Sequence, residues 1–310
     1  MSQKQTVIIF GATGRTGASI VNGLVNSDKF NVVAAIRPAS KDKPEVEQLK
    51  SRGVEIRLVD ISAVDDSTVE ALRGVDIVIS ATSGSTISAQ KQLVDAAKKA
   101  GVKRFIPNDW ASPCIRGVRQ YYDDKKVIQD YILGLGMGYT FIDVGIWYQV
   151  IIPPVDPTKQ LLPGQIESFA KIYRGGEVKN AFTDKGDIGI FVARIIDDPR
   201  TLNHYVFIWG EEATKRQVLD IAENVRGVKI ETTSVSPAEA EKELASARAA
   251  GGFPQILTEY EYSFWVRGDN TIENAKKPEY GGALDARELY PDIKPVTLTE
   301  YAHSFYGKSN

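Results

Sequence analysis

Val7-Ile-Ile-Phe-Gly-Ala-Thr-Gly-Arg-Thr-Gly17 is the stretch on which the fold turns. Val7 to Phe10 is an unbroken apolar run, the pattern of a strand covered on both faces. It stops at Gly11, and Gly14 and Gly17 follow at three-residue spacing. Strand, glycine turn and helix start, in that order, let backbone approach a pyrophosphate. The turn needs positive φ, the approach needs no Cβ, and the helix N-terminus offers N–H groups and a partial positive charge. The spacing is Gly-x-x-Gly-x-x-Gly and not the commoner Gly-x-Gly-x-x-Gly, but the physical requirements are the same. Thr13, Arg15 and Thr16 join the three glycines as expected contacts of a dinucleotide.

Outward from this loop, short apolar runs alternate with longer mixed segments, the signature of βαβ units and a parallel sheet. Strands are expected at residues 6–10, 31–36, 55–58, 77–80, 104–107 and 140–144. Helices are expected at 17–27, 43–52, 67–72, 88–100 and 123–133, the fourth closed by Gly101 at its C′ position. The regularity stops near residue 151. Ile152-Pro-Pro-Val-Asp-Pro157 and Leu162-Pro-Gly164 cannot sit inside helices or central strands. Beyond them helices are expected at 187–196, 215–225 and 237–249, and a strand within 200–209. The reading is α/β: a Rossmann-type doubly wound parallel sheet over residues 1–150, with a smaller α+β C-terminal lobe over 151–310 that binds substrate. Residues 200–210 are expected to return to the first sheet.

The end of the second strand, Ala34-Ala-Ile-Arg37-Pro, identifies the dinucleotide. A site for NAD places Asp or Glu here, about 20 residues past the loop, on the ribose 2′-hydroxyl. A guanidinium instead grips a 2′-phosphate with two hydrogen bonds, where a carboxylate would repel it. Arg37, supported by Lys43, therefore points to NADP. Ligands of open α/β sheets lie beyond the carboxyl ends of the strands. By that rule Asp60 and Ile61 are expected near the adenine, and Ser80, Thr82, Ser83 and Asn108 along the cofactor.

Composition narrows the partners. The 310 residues are 43% hydrophobic, and 38 basic against 40 acidic residues give a net charge of −2. No basic stripe fits nucleic acid and no polybasic segment fits a membrane surface. A small-molecule substrate is expected, on a monomer or homodimer. Cys114 is the only cysteine and the two histidines are far apart, so no ligand spacing supports a metal. Residues 1–10 lack the pattern of a signal peptide, and no apolar run reaches the ~18 residues of a membrane helix. The reading is a cytoplasmic, reduced protein.

Tyr121-Tyr-Asp-Asp-Lys125-Lys126 opens a helix after the fifth strand. Residues four apart share a helix face, which pairs Tyr121 with Lys125 and Tyr122 with Lys126. A lysine beside a cofactor acts as general acid or base, or holds the nicotinamide ribose. The spacing alone leaves both lysines open.

With Gly11-Ala-Thr-Gly-Arg-Thr-Gly17, Arg37, Ala96-Ala-Lys-Lys-Ala-Gly-Val-Lys-Arg-Phe-Ile-Pro107, Lys125, Gly138-Tyr-Thr-Phe141 and Glu288-Leu-Tyr-Pro-Asp-Ile-Lys294, the chain resembles the NmrA-like, isoflavone reductase-like family of atypical short-chain dehydrogenases. The resemblance implies NADP across a Rossmann domain and a small substrate lobe. It places the acid/base lysine on Lys125 and 2′-phosphate recognition on Arg37. The chain departs from the family at Pro107-Asn-Asp-Trp-Ala111, and Asn108 stands where the standard triad has its serine. Tyr121 is accordingly a helper, the second candidate catalytic residue. Trp110, Trp147, Tyr148 and Phe169 are the expected substrate contacts, a lining suited to a flat aromatic or conjugated carbonyl compound. The expected activity is NADPH-dependent reduction. The alternative implied by the family is a redox sensor that binds NADP and controls a partner protein, and its regulators tend to lack an acid/base residue where Lys125 stands.

Overall fold

The computed structural model describes residues 4–154, 156, 158 and 164–307. Val155, Pro157, Leu162 and Pro163, among the expected breakers, lie outside the described residues, as do Met1 to Gln3.

Five strands form a parallel sheet in the order β3-β2-β1-β4-β5. They are β1 (Gln5–Phe10), β2 (Phe30–Ile36), β3 (Glu55–Leu58), β4 (Ile77–Ser80) and β5 (Arg104–Ile106). The fold is α/β with this parallel sheet at its centre. β1 is central, with Ile8 opposite Val33 of β2 and Val78 of β4. All three side chains are buried, which is why the strands read as continuous apolar runs. The crossovers are α1 (Arg15–Ser27), α2 (Pro44–Ser51), α3 (Asp66–Ala71) and α4 (Gln90–Ala100), followed after β5 by α5 (Gln120–Gly134). Local chemistry sets their ends. Pro44 occupies the first turn of α2, Asp65 and Thr68 form a capping box on α3, and Gly101 closes α4 in the left-handed conformation.

The sixth expected strand, β6 (Thr140–Asp143), does not extend this sheet as a full ladder. One bridge, Phe105 with Tyr139, leads toward β5, and β6 pairs instead with His204–Phe207. The strand expected within 200–209 thus lies beside β6.

By its contacts the chain divides into two compact units that interleave along the sequence. One comprises Met1–Trp110, Asp124–Asp143 and Gly186–Val206; the other comprises Ala111–Asp123, Val144–Lys185 and Phe207–Asn310. In the first unit, α1 meets the helix Lys185–Asp197 backbone to backbone. A Cβ on Gly23 would stand 1.9 Å from the Gly189 carbonyl oxygen, and one on Gly189 would stand 1.8 Å from that of Ser19. The Ser19 hydroxyl donates to the Gly186 carbonyl at 3.2 Å and accepts the Gly189 amide at 3.0 Å. Gly189→Ala forces the helices apart and is expected to destabilise the fold by about 2–4 kcal/mol in urea unfolding. Gly134→Ala, where a Cβ meets nothing within 4 Å, is the control expected to be neutral.

In the second unit, Lys179–Thr183 pairs antiparallel with Glu211–Thr214 and parallel with Ile146–Trp147. Its apolar cluster includes Tyr148, Phe169, Tyr173, Phe182 and Trp265. Lys215 is enclosed there, donating to the Ser168 carbonyl at 2.7 Å with its amine 5.1 Å from the Trp265 ring centre. Burial pushes that amine down to about 7. Among the described residues no helix is long and apolar enough to cross a membrane.

Candidate functional site

The apolar run of β1 ends by delivering Gly11 to the carboxyl edge of the sheet. Gly11 has φ +78°, and a Cβ there would stand 2.4 Å from the Ala81 carbonyl oxygen just past β4. The Gly14 amide donates to the Gly11 carbonyl at 2.9 Å. Gly14 then starts α1 from an extended conformation, and no side chain caps that end. A Cβ on Gly17 would stand 2.0 Å from the Gly11 carbonyl oxygen. The three glycines therefore serve a turn, an open helix end and a close helix–loop packing. Thr13, Gly14 and Arg15 form the exposed tip, with Thr16 buried behind them.

The other strand ends open on the same edge, because the strands are parallel. Arg37 follows β2; its side chain is exposed and makes no hydrogen bond or ion pair among the described residues. Lys43 is exposed at the start of α2. After β3, the half-buried Asp60 accepts the Ser62 amide at 2.9 Å, and Ile61 is buried. After β4, the Ser80 hydroxyl lies 3.4 Å from that of Thr82, and the Ser83 hydroxyl 2.8 Å from that of Ser85. Asn108 ties two strand ends together: its side chain donates to the Thr82 carbonyl at 2.8 Å, and its backbone amide donates to Gln90 at 2.8 Å.

Beyond Asn108 the chain turns sharply. Trp110 has φ +28°, and its buried indole donates to the Ser80 carbonyl at 2.7 Å. This turn presents the Asp109 carbonyl oxygen to Lys125 of α5, whose ammonium donates to it. Lys125 is 6% exposed. Lys126 takes a different partner, donating to the Tyr205 hydroxyl at 3.3 Å with its amine 5.0 Å from that ring. The Asp109 carboxyl is 3% exposed, and its Oδ2 has no hydrogen-bond partner among the described residues. Burial, then the charge of Asp143, pushes it up to about 7 against the pull of Lys125, Gln129 and Lys126.

The remaining expected residues fall in the second unit. Tyr121 stands in the first turn of α5, half-buried. Trp147 is half-buried on a short strand, while Tyr148 is buried and its hydroxyl donates to the Val296 carbonyl at 3.1 Å. Phe169 belongs to the same apolar cluster as Tyr148. Reasoning from sequence missed Asp109, Gln129 and Asp143. Gln129 was within reach, four residues past Lys125 on the same helix face; Asp143 comes to act on the Asp109 carboxyl only through the fold.

The profile of the NmrA-like family matches residues 3–302. The chain is 37% identical to asnovolin J 5′,6′-dehydrogenase of Aspergillus novofumigatus, over 95% of this chain and 93% of that protein. It is 30% identical to probable pinoresinol-lariciresinol reductase 3 of Arabidopsis thaliana, over 96% and 97%. Its structure resembles that of AtPrR2 with NADP+ and (+)pinoresinol, with a TM-score of 0.81 and 25% identity over 98% of this chain and 100% of that one.

Proposed function

The chain belongs to the NmrA-like family, and from that membership we propose that it is an NADPH-dependent reductase of a small aromatic or conjugated carbonyl compound, with Lys125 as general acid/base. The observation that carries the reading is the Lys125 ammonium, buried in the unit that bears the glycine loop and held by the Asp109 carbonyl. The residues present fit the cofactor, since the α1 terminus is left without a side-chain cap and the loop tip, Thr13 to Arg15, is exposed. Gly11, Thr13, Gly14, Arg15, Thr16 and Gly17 would hold the pyrophosphate, and Arg37 with Lys43 the 2′-phosphate. Asp60 and Ile61 would meet the adenine, with Ser80, Thr82, Ser83 and Asn108 along the remainder.

NADPH bound there supplies a hydride to the substrate. Lys125 holds a proton on Nζ and donates it as negative charge develops on the substrate oxygen; in the reverse direction the free amine accepts it. The Asp109 carbonyl fixes where that amine sits, and burial keeps bulk water from competing. Support for the substrate class comes from relatives named for pinoresinol, lariciresinol and asnovolin J. Of the four expected aromatic contacts, Trp147 keeps the most open surface: it is half-buried, whereas Trp110, Tyr148 and Phe169 are buried.

The test is NADPH oxidation against phenylpropanoids, quinones and enones. Tight NADPH binding with no oxidation across that set would instead favour an NADP-binding sensor. Arg37→Asp is expected to weaken NADPH binding roughly 100-fold while changing NADH less than about threefold, because a carboxylate repels the 2′-phosphate. Fluorescence titration with both cofactors checks it, and equal losses would remove Arg37 from 2′-phosphate recognition.

A further inference from the structure

We propose that Trp110 is a positioning residue for the acid and not a surface for substrate. Its indole clamps the end of β4, and the turn so fixed holds the Asp109 carbonyl where Lys125 meets it. The proposal rests on the reading of Lys125 as general acid/base, and it moves Trp110 out of the expected substrate contacts.

The backbone at Trp110 is held against its own preference. Its φ is +28°, in the left-handed region that bulky side chains rarely enter and that persists only where the surroundings over-determine it. Two clamps do so here. The indole Nε1 donates to the Ser80 carbonyl at 2.7 Å, with both residues buried. The Asn108 side chain donates to the Thr82 carbonyl at 2.8 Å, and the Asn108 amide donates to the buried Gln90 at 2.8 Å. Between the clamps the Asp109 amide donates to the Pro107 carbonyl at 2.8 Å, closing a three-residue turn. The Asp109 carbonyl, immediately before the strained residue, is the one that accepts the Lys125 ammonium.

An indole has a single donor. In Trp110 that donor is spent on main chain, and burial leaves the ring little surface for a ligand. Both clamps also stand on one short piece of chain. Ser80 ends β4 opposite Phe10 of β1, the residue before Gly11, and Ser80 and Thr82 are residues proposed to lie along the cofactor. The anchor of the acid and the bed of the cofactor are therefore built from the same strand end.

Trp110→Phe keeps a ring and removes the N–H, and Trp110→Gly accepts the positive φ but removes the clamp. Turnover is expected to fall about tenfold in Trp110→Phe and at least as far in Trp110→Gly, with KM for NADPH and for substrate changed less than about twofold. With ε-13C lysine labelling, and Lys125→Ala to assign the signal, the Lys125 resonance of the protein without ligands is expected to shift in both variants while that of Lys126 stays. Should both fail to fold, the benzothiophene analogue of tryptophan at position 110, which lacks only the N–H, reads the same bond. A Lys125 resonance unmoved by loss of the indole N–H would overturn the proposal, and so would full turnover in Trp110→Gly. A rise in substrate KM alone would also overturn it, returning Trp110 to the substrate contacts. A shifted Lys125 resonance in a protein whose Lys125→Ala variant turns over normally would leave the clamp standing and remove the acid/base reading instead.

Discussion

Lys125→Ala is expected to slow NADPH oxidation by about 100- to 10,000-fold while weakening NADPH binding less than roughly tenfold. The split follows from what each group touches. The glycine loop and Arg37, proposed to hold the phosphates, lie at other strand ends and lose nothing, so most cofactor affinity should survive. What disappears is the ammonium on the Asp109 carbonyl, the one proton donor the reading assigns to the reaction. Lys126→Ala is the matched comparison. Its amine sits on Tyr205, so turnover should stay within about threefold of the parent. The pair therefore separates loss of positive charge on α5 from loss of the acid. Equal rates for Lys125→Ala and the parent protein, measured by single-turnover NADPH oxidation, would end the assignment. A change in KM alone would recast Lys125 as a binding group.

Gly17→Ala carries the second large effect, on binding. Its new Cβ would stand 2.0 Å from the Gly11 carbonyl oxygen, backbone against backbone, with no flexible side chain to yield. Either α1 lifts from the loop or the loop itself moves, and both displace the amides that would face the pyrophosphate. NADPH affinity is expected to fall by at least about 100-fold, with a stability loss of about 2–3 kcal/mol. Gly14→Ala should be milder, since its Cβ would stand 3.1 Å from the same oxygen. Titration with NADPH and a melting curve read both quantities. Unchanged affinity in Gly17→Ala would place the cofactor elsewhere.

Much of the first unit was legible because its physics is local. A parallel strand covered on both faces must be continuously apolar, so Val7 to Phe10 and Ile77 to Ile79 declare themselves. Gly101, Pro44 and the Asp65–Thr68 box mark helix ends by their own chemistry. Long-range pairing carries no such mark. Thr140 to Asp143 reads as one more strand of the same sheet, and nothing in it says that His204–Phe207 will be its neighbour. Lys125 was visible as a lysine at helical spacing, yet its anchor was not. That anchor depends on Trp110 adopting φ +28°, a conformation a tryptophan seldom takes. Asp109 and Asp143 lie 34 positions apart, and only folding brings the charge of one to bear on the other. Tyr148 and Phe169 show the opposite limit, since an aromatic side chain reads alike whether it faces a ligand or a core.

The meeting of Gly23 with Gly189 bears on more than packing. α1 begins at the glycine loop and is seated, two turns later, directly on another helix's main chain. No Cβ separates them at Gly23 and Gly189, and the Ser19 hydroxyl ties the two helices together beside that contact. A displacement of the helix Lys185–Asp197 would therefore bear directly on α1, which carries the uncapped amides at its start. The direction in which those amides point is thereby governed by a contact far along the sequence, made of atoms that mutation can add to but not remove.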